Sequence, residues 1–250
     1  MNLEHKTILL TGATGGIGRA LTKVLIEQGA NLILVARNTR LLKVESKKIQ
    51  ALHPTLNITT FTCDLTNSTD RKRLVSKLRR RYPTIDCLIN CAGIGIYKPF
   101  AKVTEKDWSE SFALNVTAPY FLTQSLLPFL RTSKLSLVIN IGSCSALHTL
   151  PERSVYNSTK AALRTATLCL NKEFTSSKPT FVHITLDSTL TSFGPLTIAD
   201  KKREQQDGKL YLSPDWVAGE IRDIMRCNNP EAEYVLSPDC YTDCGICHKP

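Results

Sequence analysis

Tyr156 and Lys160, in Tyr156-Asn-Ser-Thr-Lys160, head a stretch of helical period, so their side chains project from one face a single turn apart. A free phenol ionises near pH ~10, too high for efficient proton exchange at neutrality. An ammonium held beside it favours the phenolate and lowers that value. The pair can then hand a proton to a carbonyl oxygen, or take one from an alcohol in reverse. Alone, such a pair reads as a solvated helix face. Ser143 closes Ile139-Asn-Ile-Gly-Ser143, and its hydroxyl can bond a substrate carbonyl and stabilise a developing oxyanion. Asn115 lies inside a long helical pattern, where Asn is disfavoured because its side chain competes for backbone partners.

A second constellation sits near the N-terminus. Thr11-Gly-Ala-Thr-Gly-Gly-Ile-Gly18 follows an apolar strand pattern directly and opens a helical one. Glycines there let backbone amides close on a pyrophosphate at a helix N-terminus. An acidic residue about 20 positions further on would bond the 2′-hydroxyl of an NAD ribose. The chain instead carries Arg37, in Leu34-Val-Ala-Arg37, and its fork suits a 2′-phosphate. Arg37 as an ordinary surface charge is the alternative.

These residues need a frame. Strand patterns fall at Thr7–Leu10, Asn31–Ala36, Ile58–Cys63, Cys87–Asn90, Leu135–Ile141, Thr180–Leu186 and Tyr234–Leu236. Helical patterns fall between them at Gly16–Gln28, Thr39–Leu52, Thr69–Arg81, Glu105–Leu130, Val155–Phe174 and Pro214–Arg226. This alternation, with strands apolar almost throughout, predicts a parallel sheet buried on both faces by helices. At 250 residues the chain suits one domain able to bury roughly 70–75% of its unfolded surface without a disulfide or metal. No run of ~18 apolar residues exists, so no membrane span is expected. The apolar Ile8–Leu10 runs into glycines and makes no signal-peptide core, and a reducing cytoplasm is the expected compartment for the scattered cysteines.

The T-G-x-x-x-G-x-G spacing, with Asn115, Ser143, Tyr156 and Lys160 in order, resembles the classical short-chain dehydrogenase/reductase family over nearly the full chain, to about Leu236. The resemblance implies a Rossmann-type, doubly wound α/β fold with a seven-stranded parallel sheet and helices on both faces. It implies an NADP(H)-dependent carbonyl reduction with Tyr156 as acid/base. Lys160 would tune that acid and bind the nicotinamide ribose, Ser143 would orient the carbonyl, and Asn115 would kink its helix and support a proton relay. The implied cofactor set is Gly12, Thr14, Gly15, Gly16, Ile17, Gly18, Arg37, Asp64 (against the adenine amino group), Leu65, Asn90, Ala92, Gly93, Tyr156, Lys160 and Thr191. A homodimer or homotetramer, paired through the helices of Asn115 and Tyr156, and a small carbonyl or alcohol substrate are implied as well. A catalytically silent NADP(H)-binding sensor or scaffold is the alternative.

The pattern departs at two places. Leu186-Asp187 stands where the family has Pro-Gly, beside the nicotinamide; an inward Asp187 would favour the cationic oxidised ring, and an Asp187 turned to water would do nothing. Residues 1–237 form the expected catalytic domain, with 188–210 a possible substrate lid that lacks a clear core face, and 238–250 form a Cys-rich tail. Cys240, Cys244, Cys247 and His248 could hold zinc, but Cys247 and His248 are adjacent, and no metal is expected. Net charge is +10. The helix of Arg71-Lys-Arg73, Lys77 and Arg79-Arg-Arg81 carries seven cations read as a solvated outer face; no aromatics interleave to stack bases, and no nucleic-acid partner is expected. His148 could be near the substrate mouth or an ordinary loop residue. Ile94, Ile96, Tyr97, Phe100, Leu147 and Phe193 predict an apolar or mixed substrate pocket.

Overall fold

β-Branched and leucine-rich runs alternate with helical ones, and in the computed structural model, which describes residues 2–134 and 136–238, they pair as that pattern predicts. The strands are β1 (Thr7–Thr11), β2 (Asn31–Ala36), β3 (Ile58–Thr62), β4 (Cys87–Asn90), β5 (Leu137–Ile141), β6 (Thr180–Leu186) and β7 (Glu233–Leu236). They form one seven-stranded sheet in the order β3-β2-β1-β4-β5-β6-β7, with every neighbouring pair parallel. Successive strand residues face opposite sides. Ile8 and Leu10 of β1 join one core, and Leu9 between them joins the other. Both faces are therefore covered, and the strand runs read as continuously apolar for that reason.

The helices are α1 (Gly16–Glu27), α2 (Thr39–Leu52), α3 (Ser68–Arg81), α4 (Glu105–Phe112), α5 (Ala118–Arg131), α6 (Ser154–Glu173), α7 (Ile198–Gln206) and α8 (Pro214–Arg226). Helices α1 and α8 cover the first core; α3 and α5 cover the second. The chain runs outward from β1 through β2 to β3 and then crosses back to β4 on the other side of β1, and this reversal opens a crevice at the strand carboxyl ends.

Three predicted elements are corrected. The continuous helix 105–130 is interrupted by a wide π turn, Ala113–Thr117, between α4 and α5. Pro119 has no N–H to donate to the carbonyl four residues back, that of Asn115, so a regular ladder cannot continue there. Within 188–210, α7 forms where no helix was expected. A capping box starts it: the Asp200 amide donates to the Thr197 hydroxyl oxygen, and the Thr197 amide and hydroxyl donate to the Asp200 carboxylate. Its one buried residue is Lys201, so no apolar stripe announces it. On α3, Arg71 is buried and donates to the Leu65 carbonyl at 2.6 Å, which removes it from the outer basic face.

At the far edge of the sheet, Arg164 of α6 forms a two-pronged ion pair with Glu233 of β7, at 2.7 and 2.6 Å. Glu233 also accepts the Thr185 hydroxyl of β6. Among the described residues no helix is long and apolar enough to cross a membrane, and no cluster of three or more His, Cys, Asp or Glu could hold a metal. The cysteine and histidine residues of the tail, Cys240 to His248, lie outside the described residues, as does Leu135 at the start of the fifth predicted strand.

Candidate active site

The loop between β1 and α1 turns at Gly12, whose φ of +68° lies in the left-handed region. A Cβ there would meet the Ala92 amide nitrogen at 2.8 Å, and one on Gly18 would sit 2.2 Å from the Gly12 carbonyl oxygen. Only bare backbone fits so close a fold. Gly15 begins α1 without a side-chain cap, so first-turn amides are left to a ligand. A cavity of about 1090 Å³, open to solvent, lies over this helix end. Gly12, Thr14, Gly15, Gly16, Ile17, Gly18, Arg37, Leu65, Ala92, Gly93 and Thr191 all line it. Among the described residues Arg37 forms no ion pair, so its fork is unspent. Uncapped amides, a close glycine turn and a free guanidinium are the donor set a dinucleotide phosphate needs, and these residues fit one.

Of the implied cofactor set, Tyr156 and Lys160 line an adjoining cavity, and two residues, Asn90 and Asp64, line neither. Asn90 is buried, and its amide donates to Thr123 Oγ1 at 3.2 Å and Asn140 Oδ1 at 2.8 Å. It ties β4 to β5 and α5. Asp64 turns one carboxylate oxygen to Thr66, accepting its hydroxyl at 2.7 Å and its amide at 3.0 Å. Those bonds hold its carboxyl below the usual carboxylate range.

A second cavity adjoins the first and shares Ile17, Gly93, Thr191 and Phe193 with it. Ser143, from the end of β5, and Tyr156 and Lys160, from the first turns of α6, meet in its wall. The Ser143 hydroxyl accepts the Ser145 amide at 3.1 Å and is close enough to Tyr156 to favour its phenolate. The Lys160 ammonium lies 5.7 Å from the centre of the Tyr156 ring and donates to the Ile141 carbonyl at 2.8 Å. Burial governs both groups here. It lifts the Tyr156 phenol above its ordinary value, with the nearby Tyr97 adding to the rise and the Ser143 bond opposing it. It draws Lys160 down to about 8, against a small upward pull from Cys91. Burial of the phenol therefore works against the acidification expected from sequence.

Asn115 lines neither cavity. Its carboxamide accepts the Ile94 amide and donates to the Ile94 carbonyl, both at 2.9 Å, and donates to Thr159 Oγ1 at 3.0 Å. It positions the loop after β4 against the helix of Tyr156, and the expected helix irregularity is the π turn around it.

The substrate end is mixed in character, one of the two forms the sequence allows, though not all the expected residues build it. Tyr97 and Phe193 line it, their rings 5.4 and 5.8 Å from that of Tyr156. Phe100 is 88% exposed, and Ile94, Ile96, Leu147 and His148 are not in the wall. Arg153, Asp187, Lys201, Lys209 and Tyr211 are. Asp187 does face this cavity; it accepts the Ser188 amide at 2.6 Å and the Cys144 thiol at 3.4 Å. Cys91 borders both cavities, as its place in Asn90-Cys-Ala-Gly93 could have indicated.

A nucleotide crevice at the switch point of a parallel sheet, opening onto a serine, tyrosine and lysine, defines a dinucleotide-dependent oxidoreductase site. The chain belongs to the short chain dehydrogenase family, whose model matches residues 6–197. The family acts on alcohol or carbonyl groups with NAD(P)(H). Among curated relatives, an uncharacterized oxidoreductase of Listeria monocytogenes is 30% identical over 224 residues, 87% of this chain and 89% of its own. Two solved structures show the same fold. L-sorbose reductase from Gluconobacter frateurii, complexed with NADPH and L-sorbose, superposes with TM-score 0.86 at 21% identity, covering 95% of this chain and 97% of its own. A short chain dehydrogenase/reductase from Burkholderia phymatum in complex with NAD superposes with TM-score 0.83 at 17% identity, covering 96% and 92%.

Proposed function

We propose that the protein is an NADP(H)-dependent reductase that converts a ketone to a secondary alcohol. The observation that carries this reading is the meeting of Ser143, Tyr156 and Lys160 in the wall of one cavity that adjoins the glycine crevice. The bound dinucleotide supplies and receives hydride. Tyr156, held protonated by burial, is poised as the acid that gives its proton to the carbonyl oxygen. Ser143 orients that oxygen and shares the developing charge. Lys160 keeps a cation near the phenolate that Tyr156 becomes.

The preference for NADP(H) rests on Arg37, free at the crevice rim, and on the lack of a carboxylate there to bond a ribose hydroxyl. The NADPH complex of L-sorbose reductase supports it; the NAD complex of the Burkholderia protein shows that the fold alone does not decide. Residues 188–210 wall the substrate end and serve as its cover in this reading. Trp108, Tyr120 and Phe121, exposed on α4 and α5, are where a second subunit of a homodimer or homotetramer would seat. The reading invokes no nucleic acid.

Consumption of NADPH against a panel of ketones, diketones and 3-oxoacyl thioesters tests it, with Tyr156→Phe as the blank. At least one ketone turns over with the wild type and falls by about 10²-fold or more in the blank. Tight NADPH binding without turnover of any ketone would sink the reductase and leave a silent binding protein.

A further inference from the structure

We infer that the substrate is a small oxo acid or hydroxy acid, whose carboxylate is bound by Arg153. This rests on the reductase reading and adds the substrate class. Arg153 immediately precedes α6 and lines the cavity of Ser143 and Tyr156. Its guanidinium stacks over the Tyr97 ring, 4.6 Å from the centroid, and that ring meets Tyr156 edge-on at 5.4 Å. The two segments are also tied through backbone, since the Lys98 amide donates to the Glu152 carbonyl at 2.8 Å. The cation thus shares a cavity with the catalytic hydroxyl, and its charge bears on Tyr156, Tyr97 and Cys144.

That cation is unspent. Among the described residues no carboxylate pairs with Arg153, although a half-buried guanidinium ordinarily finds one. The other cations of the wall have partners. Lys201 donates to the Thr191 and Phe193 carbonyls at 2.8 Å each, Lys209 pairs with Glu204 at 2.7 Å, and Lys160 donates to the Ile141 carbonyl. One free fork matches one carboxylate, which it can bond through two parallel N–H groups. A phosphate dianion would need further donors and would face Asp187 in the same cavity. Stacking on Tyr97 leaves the guanidinium edge for the ligand, a geometry that lysine cannot copy. A carboxylate on Arg153 and a carbonyl at Tyr156, held in one cavity, suit a small acid such as a 3-oxo acid.

Two measurements separate this inference from the reading beneath it. Acetoacetate and methyl acetoacetate are titrated by calorimetry into protein saturated with NADP⁺, which cannot reduce either. The wild type binds the acid at least about tenfold more tightly, the size of one charge-assisted contact. That preference disappears in Arg153→Gln and survives only in part in Arg153→Lys. Equal binding of acid and ester by the wild type, or a preference that persists in Arg153→Gln, overturns the inference whatever the variants' stability. Both compounds are then offered with NADPH. Turnover of the ester with rejection of the acid defeats the inference and keeps the reductase. Acid-selective binding with no turnover of either defeats the reductase and keeps the carboxylate site.

Discussion

Asn115 holds both backbone polar groups of Ile94 at once, accepting its amide and donating to its carbonyl at 2.9 Å each. Its remaining N–H donates to Thr159, whose hydroxyl in turn donates to the Tyr156 carbonyl at 2.7 Å. One side chain therefore fixes the loop after β4 to the turn of α6 that presents the acid. Removing it in Asn115→Ala strands buried polar groups, each costing about 1–3 kcal/mol. Urea unfolding is expected to show a loss of at least about 2 kcal/mol, with ketone reduction reduced more through kcat than through KM. Unchanged stability would show that these bonds are replaced by solvent without penalty.

Arg37 faces the nucleotide crevice without an ion-pair partner among the described residues. A charge-assisted bond to a 2′-phosphate contributes about 1.5–3 kcal/mol, or roughly 10- to 150-fold in affinity. Arg37→Ala is expected to weaken NADPH by that factor and to leave NADH within about twofold, read by quenching of protein fluorescence. Equal loss of both dinucleotides would remove the basis for the NADP(H) assignment.

Asp187 lines the cavity of Tyr156, and a nicotinamide bound beside it would meet a charge that favours the cationic ring over the neutral one. Tighter binding of the oxidised form makes the bound couple a stronger reductant. In Asp187→Asn the ratio of NADP⁺ to NADPH affinity falls several-fold by calorimetry. A ratio that does not move means that this carboxylate is screened by its Ser188 and Cys144 partners.

The pH dependence follows from the two buried groups. Reduction needs a protonated Tyr156 and a charged Lys160; the first is lifted by burial, and the second loses its proton as pH rises through about 8. The rate constant kcat/KM for reduction is therefore level below pH 8 and declines above it. Oxidation of the alcohol needs the phenolate beside a charged Lys160, so it climbs with pH up to about 8 and levels above it. A reduction profile that rises between pH 8 and 9 would contradict this assignment of the acid and its neighbour.

Much of the fold is legible in residue order because both faces of the sheet are covered. Asn31–Ala36, Cys87–Asn90 and Thr180–Leu186 begin and end as their apolar runs do. The glycine loop and the Ser143, Tyr156 and Lys160 set are legible because short-range spacing determines them. What escapes depends on tertiary surroundings. Helix α7 is hidden because its buried position is a lysine satisfied by carbonyls, which no hydrophobic period reveals. Arg153 acquires meaning only from Tyr97, far away in sequence, and the upward shift of Tyr156 comes from burial that composition cannot report. Asn90 resembles a cofactor residue in its motif, yet its rotamer turns it into the sheet.

The ion pair between Arg164 and Glu233 has a consequence for biosynthesis. The helix that carries the proton donor is latched to β7, the last strand in chain order among the described residues, so a nascent chain that stops short of residue 233 leaves the Arg164 guanidinium without its carboxylate. This latch can close only once β7 is made, some seventy residues after the arginine it holds, and a truncation before residue 233 is expected to loosen the helix that presents Tyr156.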